Sequence, residues 1–495
     1  MLFNSPQFLF VFLPLTLLAT WSSLRLFGRT SGVAVLIAAS LTFYASWHVW
    51  AVGLLLASTG ANLAIAYALL KSKRASLRRI LLIIGLAANI GVLGYFKYTD
   101  FLLFNINHLS GSAFPLADII LPLGISFYTF QKVGFLVDVY ERKITEIRPL
   151  EFLLMVSFFP QLIAGPIVHY RDIVPQLVRS LKVDARSIAF GLSVFAIGLA
   201  KKTVLADALA LYATPRFIQA AHGPVDFYSG WMGALSYTFQ IYFDFSGYCD
   251  MAIGVALMFG VVLPVNFNSP YKSASIIDFW RRWHMTLSRF LREYVYFPLG
   301  GNRRGSVRRY ANLLIVMLVG GLWHGAAWTF VLWGAVHGVY LTVNHLWRAA
   351  GLRLPRFLAW PLTFLAITLA WTPFRSESLL AALRMLKGMA GLSGFQIPYL
   401  IAASLHVARP EMDFNSPIPV VDFGAGCGVI ALAGAVAFLG PNTMQIFGLI
   451  ETAADRLRAF SFRLLSSPAY AGAVLFFGLQ GVVGAVPSQF IYFQF

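Results

Sequence analysis

Residues 313 to 347, LLIVMLVGGLWHGAAWTFVLWGAVHGVYLTVNHLW, contain no Asp, Glu, Lys or Arg, yet they carry three histidines, His324, His337 and His345. An ionisable ring at bilayer depth is costly and faces a bundle interior or a cavity. A neutral imidazole there can accept a proton from a hydroxyl and return it later, a general-base role worth typically about 10²- to 10⁴-fold. It can also carry a group covalently, or serve only as interhelical hydrogen-bond glue. His324 stands between Trp323 and Gly325, where a large ring and a missing side chain could shape a narrow channel. His337 and His345 fit glue or interface positions.

A second set lies just upstream. Residues 272 to 310 hold nine Lys or Arg against two acids. On a helical wheel Arg281, Arg282, Arg289 and Arg292 share one arc of about 100°. Trp280, Trp283, Leu287, Phe290, Leu291 and Tyr294 take the other side, so the pattern predicts one amphipathic helix at the interface, with His284 at the seam beside Ser288. Such a helix can bind anionic lipid, or its arginines can hold a phosphate-bearing cofactor while His284 points inward. A third set, FQIYFDFSGYCDMAIG at 239 to 254, places Asp244 and Asp250 around a Ser-Gly-Tyr turn. Two carboxylates could bind a metal or orient a histidine. No further acidic cluster supplies ligands, so no metal site is expected and packing or orientation roles are, with Asp244 the better candidate. Cys249 and Cys427 show no CxxC spacing and read as buried free thiols. HEXXH, Walker A and GxSxG patterns are absent.

The elements that must position these groups are membrane helices. The chain is 58% hydrophobic and 12% charged, against roughly 25% charged in soluble domains. Charge-free runs recur at 31 to 70, 152 to 170, 227 to 243, 311 to 347, 357 to 374, 423 to 450 and 464 to 495. With about 20 apolar residues per crossing, they predict about ten to thirteen spans. The run 31 to 70 would make a rod of about 60 Å and must break, near Trp47 to Trp50. The run 313 to 347, roughly 52 Å long, must also break, with Gly320-Gly321 or Gly334 as weak points. The N-terminal apolar run lacks signal-peptide features and reads as a retained first span.

The net charge of +18 is a property of loops. Arg25 and Arg29, Lys71 to Arg79, and Arg142 to Arg148 make every second loop basic, which places those loops in the cytoplasm and the N-terminus outside. No basic soluble domain exists to bind nucleic acid, and none is expected to be bound. The whole chain, 1 to 495, reads as one membrane domain, with its motifs in a core at roughly 90 to 350, an extramembrane loop at about 388 to 422 and C-terminal spans at about 423 to 495. Gly and Pro interrupt spans at Pro122 and Gly124, at Pro160, Gly165 and Pro166, and at Gly320-Gly321. Broken helices at depth need protein or a water-filled cavity beside them.

At DFWRRWHMTLSRFLREYVYFPLGG and GLWHGAAWTFVLWGAVHG the chain resembles the membrane-bound O-acyltransferases, in particular the AlgI-like alginate O-acetyltransferase branch. FNSPQFLFVFLP, GYFKYTDF, LPLGISFYTFQ, FFPQLIAGPIVHY, GLAKKTVLAD, FDFSGYCDMAIG and FIYFQF extend the resemblance over nearly the whole chain. It implies an all-α integral membrane bundle, with re-entrant and interfacial helices, enclosing a tunnel from cytoplasm to exterior. His324 matches the histidine at its narrow centre. His284 matches a second polar position, occupied by Asn, Asp or His about forty residues upstream. The resemblance further implies a bacterial inner-membrane protein with no tightly bound cofactor, which takes acetyl from cytosolic acetyl-CoA. An SGNH-hydrolase-like periplasmic partner would place it on a polysaccharide acceptor. Arg281, Arg282, Arg289 and Arg292, with Trp280 and Trp323, would meet the donor, and Asp244 and His337 would support the site. Cys249 departs from the pattern, standing where Ser or a similar small residue is expected.

Two other functions fit parts of this pattern. A D-alanyl transferase of the teichoic-acid type would share the architecture and draw its acyl group from a carrier protein. A transporter would use intramembrane histidines as a proton relay. It predicts internally repeated halves, which the sequence lacks.

Overall fold

A computed structural model describes residues 1–395 and 421–449 and, beyond these, 472, 474–476, 478, 479, 482, 490 and 491. Among the described residues the chain is helical, without strands. In chain order the helices are α1 (Leu13–Phe27), α2 (Arg29–Ala45), α3 (Val49–Lys71), α4 (Ala75–Ser110), α5 (Ile125–Tyr140), α6 (Pro149–Ser157), α7 (Tyr170–Arg179), α8 (Ala185–Ala200) and α9 (Asp207–His222). There follow α10 (Phe227–Met258), α11 (Ile276–Trp280), α12 (Met285–Leu291), α13 (Gly305–His324), α14 (Trp328–Ala349), α15 (Arg356–Arg375), α16 (Leu379–Met389), α17 (Val421–Phe438) and α18 (Thr443–Ile446). Most of the expected loop at 388 to 422 lies outside the described residues, as does most of the C-terminal stretch beyond α18.

Among the described residues, five continuous helices are long and apolar enough to cross a membrane: Phe8–Phe27, Val49–Lys71, Ala75–Ser110, Ala185–His222 and Arg356–Arg375. The run 31 to 70 breaks where the rod argument requires, between Ala45 and Val49. The three basic loops share one end of the bundle. Arg29 donates from Nε to the Leu177 carbonyl (2.8 Å) and from Nη2 to Glu151 (3.0 Å). Arg78 donates to the carbonyls of Leu69 and Tyr140, beside the Arg142 to Arg148 loop. Asp184 starts α8 by accepting from the Ser187 N–H, and that bond, with Lys182, holds its carboxyl down at about 2.

The centre of the bundle is α10, buried over nearly its whole length. It runs against α8 with glycine facing glycine. A Cβ on Gly198 would sit 2.6 Å from the Gly247 carbonyl oxygen, and one on Gly254 would sit 2.6 Å from that of Gly191. Small residues of this kind let backbones approach within a membrane. The approach sets up two ion pairs, Lys202 Nζ to Asp244 Oδ1 at 2.7 Å and Lys201 Nζ to Asp250 Oδ2 at 2.6 Å. Asp207 also meets Lys202, at 2.9 Å.

Two expectations about helix breaks change. Gly320, Gly321 and Gly334 do not interrupt a helix; a Cβ on Gly321 or Gly334 would strike the backbone of the opposing helix, so these positions permit α13 and α14 to pack closely. The break falls at 325–327, immediately after His324. Residues 272 to 310 are not one amphipathic helix. They form α11, a turn, α12, a π-helical stretch (Arg292–Tyr296), a second turn and the start of α13. Their apolar side is not lipid-facing either, since Trp283, Leu287, Phe290 and Leu291 are buried in the core. The interrupted backbone at 158–169 is likewise buried against protein, and the Ile167 N–H donates to Thr286 Oγ1 at 3.0 Å. Cys249 is buried, as expected, whereas Cys427 is exposed on α17.

Candidate active site

His324 is the last residue of α13, and Gly325 continues in extended backbone. Ending a helix there leaves its final carbonyls without intrahelical donors. Across the break, α14 brings Trp333 and α15 brings Phe374, both edge-on to the imidazole, with ring centroids 5.2 and 5.1 Å away. Trp323 closes a third side at 5.0 Å. His324 is therefore buried at 4% exposure in a box of aromatic rings, the setting its sequence surroundings suggest.

His284 precedes α12 with φ 42° and ψ 53°, a left-handed conformation that bends the chain between α11 and α12. The bend turns its ring into the core, where it is fully buried. The centroids of His284 and His324 are 6.3 Å apart, and the Trp323 indole packs against both. The two histidines singled out in the sequence thus share one chamber.

The tautomer of His284 follows from its neighbours. Asn266 Oδ1 accepts from the Thr286 N–H (3.2 Å) and from Thr286 Oγ1 (2.9 Å). A backbone N–H can only donate, so this atom of Asn266 is the oxygen. It lies 3.1 Å from His284 Nδ1, which must therefore carry the proton. Nε2 is left with the lone pair. Asn266 in turn donates from Nδ2 to Cys249 Sγ at 3.3 Å. Cys249, where the resemblance implies Ser or a similar small residue, thus lies directly behind the site, and its sulfur accepts as a serine oxygen would.

The other named residues divide. Trp280 donates from Nε1 to His337 Nδ1 (3.3 Å), and His337 meets Trp333 edge to face, so the pair supports the chamber wall. Asp244 is held by Lys202 and by the Ile491 N–H (2.9 Å) rather than by a histidine. Arg281 and Arg292 are exposed. Arg282 is bound to Asp278 at 2.9 Å, and Arg289 to Asp172 at 2.6 Å and Glu293 at 3.1 Å, so these two are committed to carboxylates of the protein itself. The break at His284 replaces the uniform basic stripe with two exposed and two paired arginines. No cluster of metal ligands occurs among the described residues.

Sequence reasoning assigned no role to Asn266 or to Lys97 and Tyr98, which grip the end of α13. Lys97 lies inside GYFKYTDF, a charged residue within an apolar helix, and that was the available signal.

The family model for membrane-bound O-acyltransferases matches residues 35–375, which contain both histidines and every wall of the chamber. The chain belongs to the membrane-bound O-acyltransferase family. It is 45% identical to a peptidoglycan O-acetyltransferase of Helicobacter pylori, over 81% of this chain and 82% of that one. It is 37% identical to a Pseudomonas aeruginosa protein named "Probable alginate O-acetylase AlgI", with both chains covered completely. A teichoic acid D-alanyltransferase of Streptococcus thermophilus is 30% identical over 46% of this chain and 57% of its own. The protein is a multi-pass membrane acyltransferase. An enzyme of this family replaces the transporter reading.

Proposed function

We propose that the protein is an O-acetyltransferase of the bacterial inner membrane that passes acetyl from cytosolic acetyl-CoA to the hydroxyls of an exported polysaccharide through an SGNH-type periplasmic partner. The observation that carries this reading is the pairing of His324 with His284 in one aromatic chamber. The relatives named as O-acetyltransferase and O-acetylase match over most or all of the chain, and the D-alanyltransferase over less than half, which favours acetyl over D-alanyl as the group moved.

The length of α13 supports entry of donor and acceptor from opposite faces. Its first turn carries exposed Arg308 beside Arg303 and Arg304, and His324 lies 20 residues along the helix, about 30 Å from the basic end. The histidine therefore sits far from the face that basic loops mark as cytoplasmic. In the transfer, His324 takes the proton from the acceptor hydroxyl as its oxygen bonds to the thioester carbonyl carbon. The carbon–sulfur bond then breaks and the departing thiolate recovers the proton. His284, with its lone pair on Nε2, does not donate directly to the oxyanion. A water that donates one hydrogen to Nε2 presents its other to the developing charge.

The test is reconstitution of the purified protein in liposomes with radiolabelled acetyl-CoA supplied on one face, and alginate-type or peptidoglycan-type acceptor with an SGNH partner on the other. Label should reach the acceptor and be lost in His324→Ala. Transfer from a D-alanyl carrier thioester and none from acetyl-CoA would overturn the proposal.

A further inference from the structure

The end of α13 has a complete set of donors from outside the helix. Gly325 N–H still reaches the Gly321 carbonyl, at 3.4 Å. The next three carbonyls, those of Leu322, Trp323 and His324, have passed the end of the helix. All three are taken up by two adjacent residues of α4. Tyr98 donates its hydroxyl to the Leu322 carbonyl at 2.6 Å, and Lys97 Nζ donates to Trp323 at 2.6 Å and to His324 at 3.1 Å, with Ser126 Oγ at 3.5 Å. A cation at a helix C-terminus also meets the negative end of the helix dipole. Asp100, one turn further on, anchors this part of α4 by accepting from the Ala117 N–H at 2.7 Å.

We infer that Lys97, assisted by Tyr98, is a positioning residue for acyl transfer: by holding the carbonyls of Trp323 and His324 it fixes the height and direction of the His324 imidazole. The inference rests on the reading of His324 as the transfer base. Ring edges and faces around the imidazole limit its tilt, and the clamp on the carbonyls acts along the helix axis. A shift of about 1 Å at a reacting group can cost about 10²-fold in rate.

The experiment uses the full chain in liposomes, comparing Lys97→Met, Lys97→Arg and Tyr98→Phe for kcat and KM with acetyl-CoA. Lys97→Met should lower kcat about 10- to 100-fold with KM for acetyl-CoA within about threefold, and the unfolding midpoint should fall only by the modest amount that unpaired carbonyls cost. Lys97→Arg, which keeps a cation able to reach two carbonyls, should recover much of kcat, and Tyr98→Phe should lose less than Lys97→Met. Amide hydrogen exchange over 322–327 should accelerate in Lys97→Met. Unchanged kcat in Lys97→Met, or a loss that Lys97→Arg does not relieve, overturns the inference. If Lys97→Met does not assemble, Lys97→Arg against Tyr98→Phe decides by the same kcat criterion. If wild-type protein moves no acetyl from acetyl-CoA, the functional proposal fails, and the exchange measurement still tests the clamp: no acceleration overturns it.

Discussion

Two of the polar clusters in the bundle are partnered by opposite rules. Between α8 and α10, Lys201, Lys202, Asp207, Asp244 and Asp250 are joined cation to carboxylate. In the chamber between α12 and α13, the groups that grip the histidines take hold of a backbone carbonyl or of Nδ1, and the rings stand among aromatic edges. Pairing side chain with side chain consumes the chemistry of both. Holding a residue by its backbone, or by one nitrogen of its ring, orients the ring without forming an ion pair with it. Under the proposed function, that difference separates a structural cluster from the acyl-transfer site even though both are buried.

The comparison breaks first if His324→Ala leaves activity in place. Acetyl transfer should fall by about 10²- to 10⁴-fold, with the unfolding midpoint in detergent unchanged; activity within tenfold of wild type would remove the chamber's special status. The ion-pair cluster should respond in the reverse sense. Lys202→Met leaves Asp244 and Asp207 facing each other without their cation and should cost about 3–5 kcal/mol of stability, read as a lower midpoint and lower membrane yield. The double variant Lys202→Met/Asp244→Leu should recover part of that loss. Asn266→Leu tests the grip on His284. It strands the Nδ1 proton and the Thr286 donors, a penalty of about 1–3 kcal/mol, and should lower kcat about tenfold or more, whereas Asn266→Asp, which keeps an acceptor, should lose less. The smallest effect is expected behind Asn266: Cys249→Ser should remain within about twofold in rate, while Cys249→Val removes the acceptor for Nδ2 at about 1 kcal/mol.

Much of this was legible in the residues. Charge-free runs marked the membrane class, rod length located the break before Val49, and a histidine in an uncharged stretch pointed to His324. What escaped had long-range causes. Periodicity drew 272 to 310 as one helix because the apolar spacing continues through His284, and a single left-handed residue leaves no mark on that spacing. The arginine stripe looked free because Asp172, the partner of Arg289, lies 117 positions away. Gly320-Gly321 resembles a breaker in sequence, and only the opposing α14 shows that Gly321 serves close packing. Lys97 meets its carbonyls 226 and 227 positions later, a pairing no local pattern contains.

The left-handed backbone at His284 bears on which residues the position can accept. Most side chains are strained at φ 42°, and the non-glycine types most at ease there are Asn, Asp and His. These are the three alternatives that the family resemblance implies for this site. Substitution at this position is thus filtered twice, by the shape of the main chain before any chemistry is tried. A polar residue outside that trio would have to straighten the turn joining α11 to α12, and straightening it would carry the side chain out of the chamber.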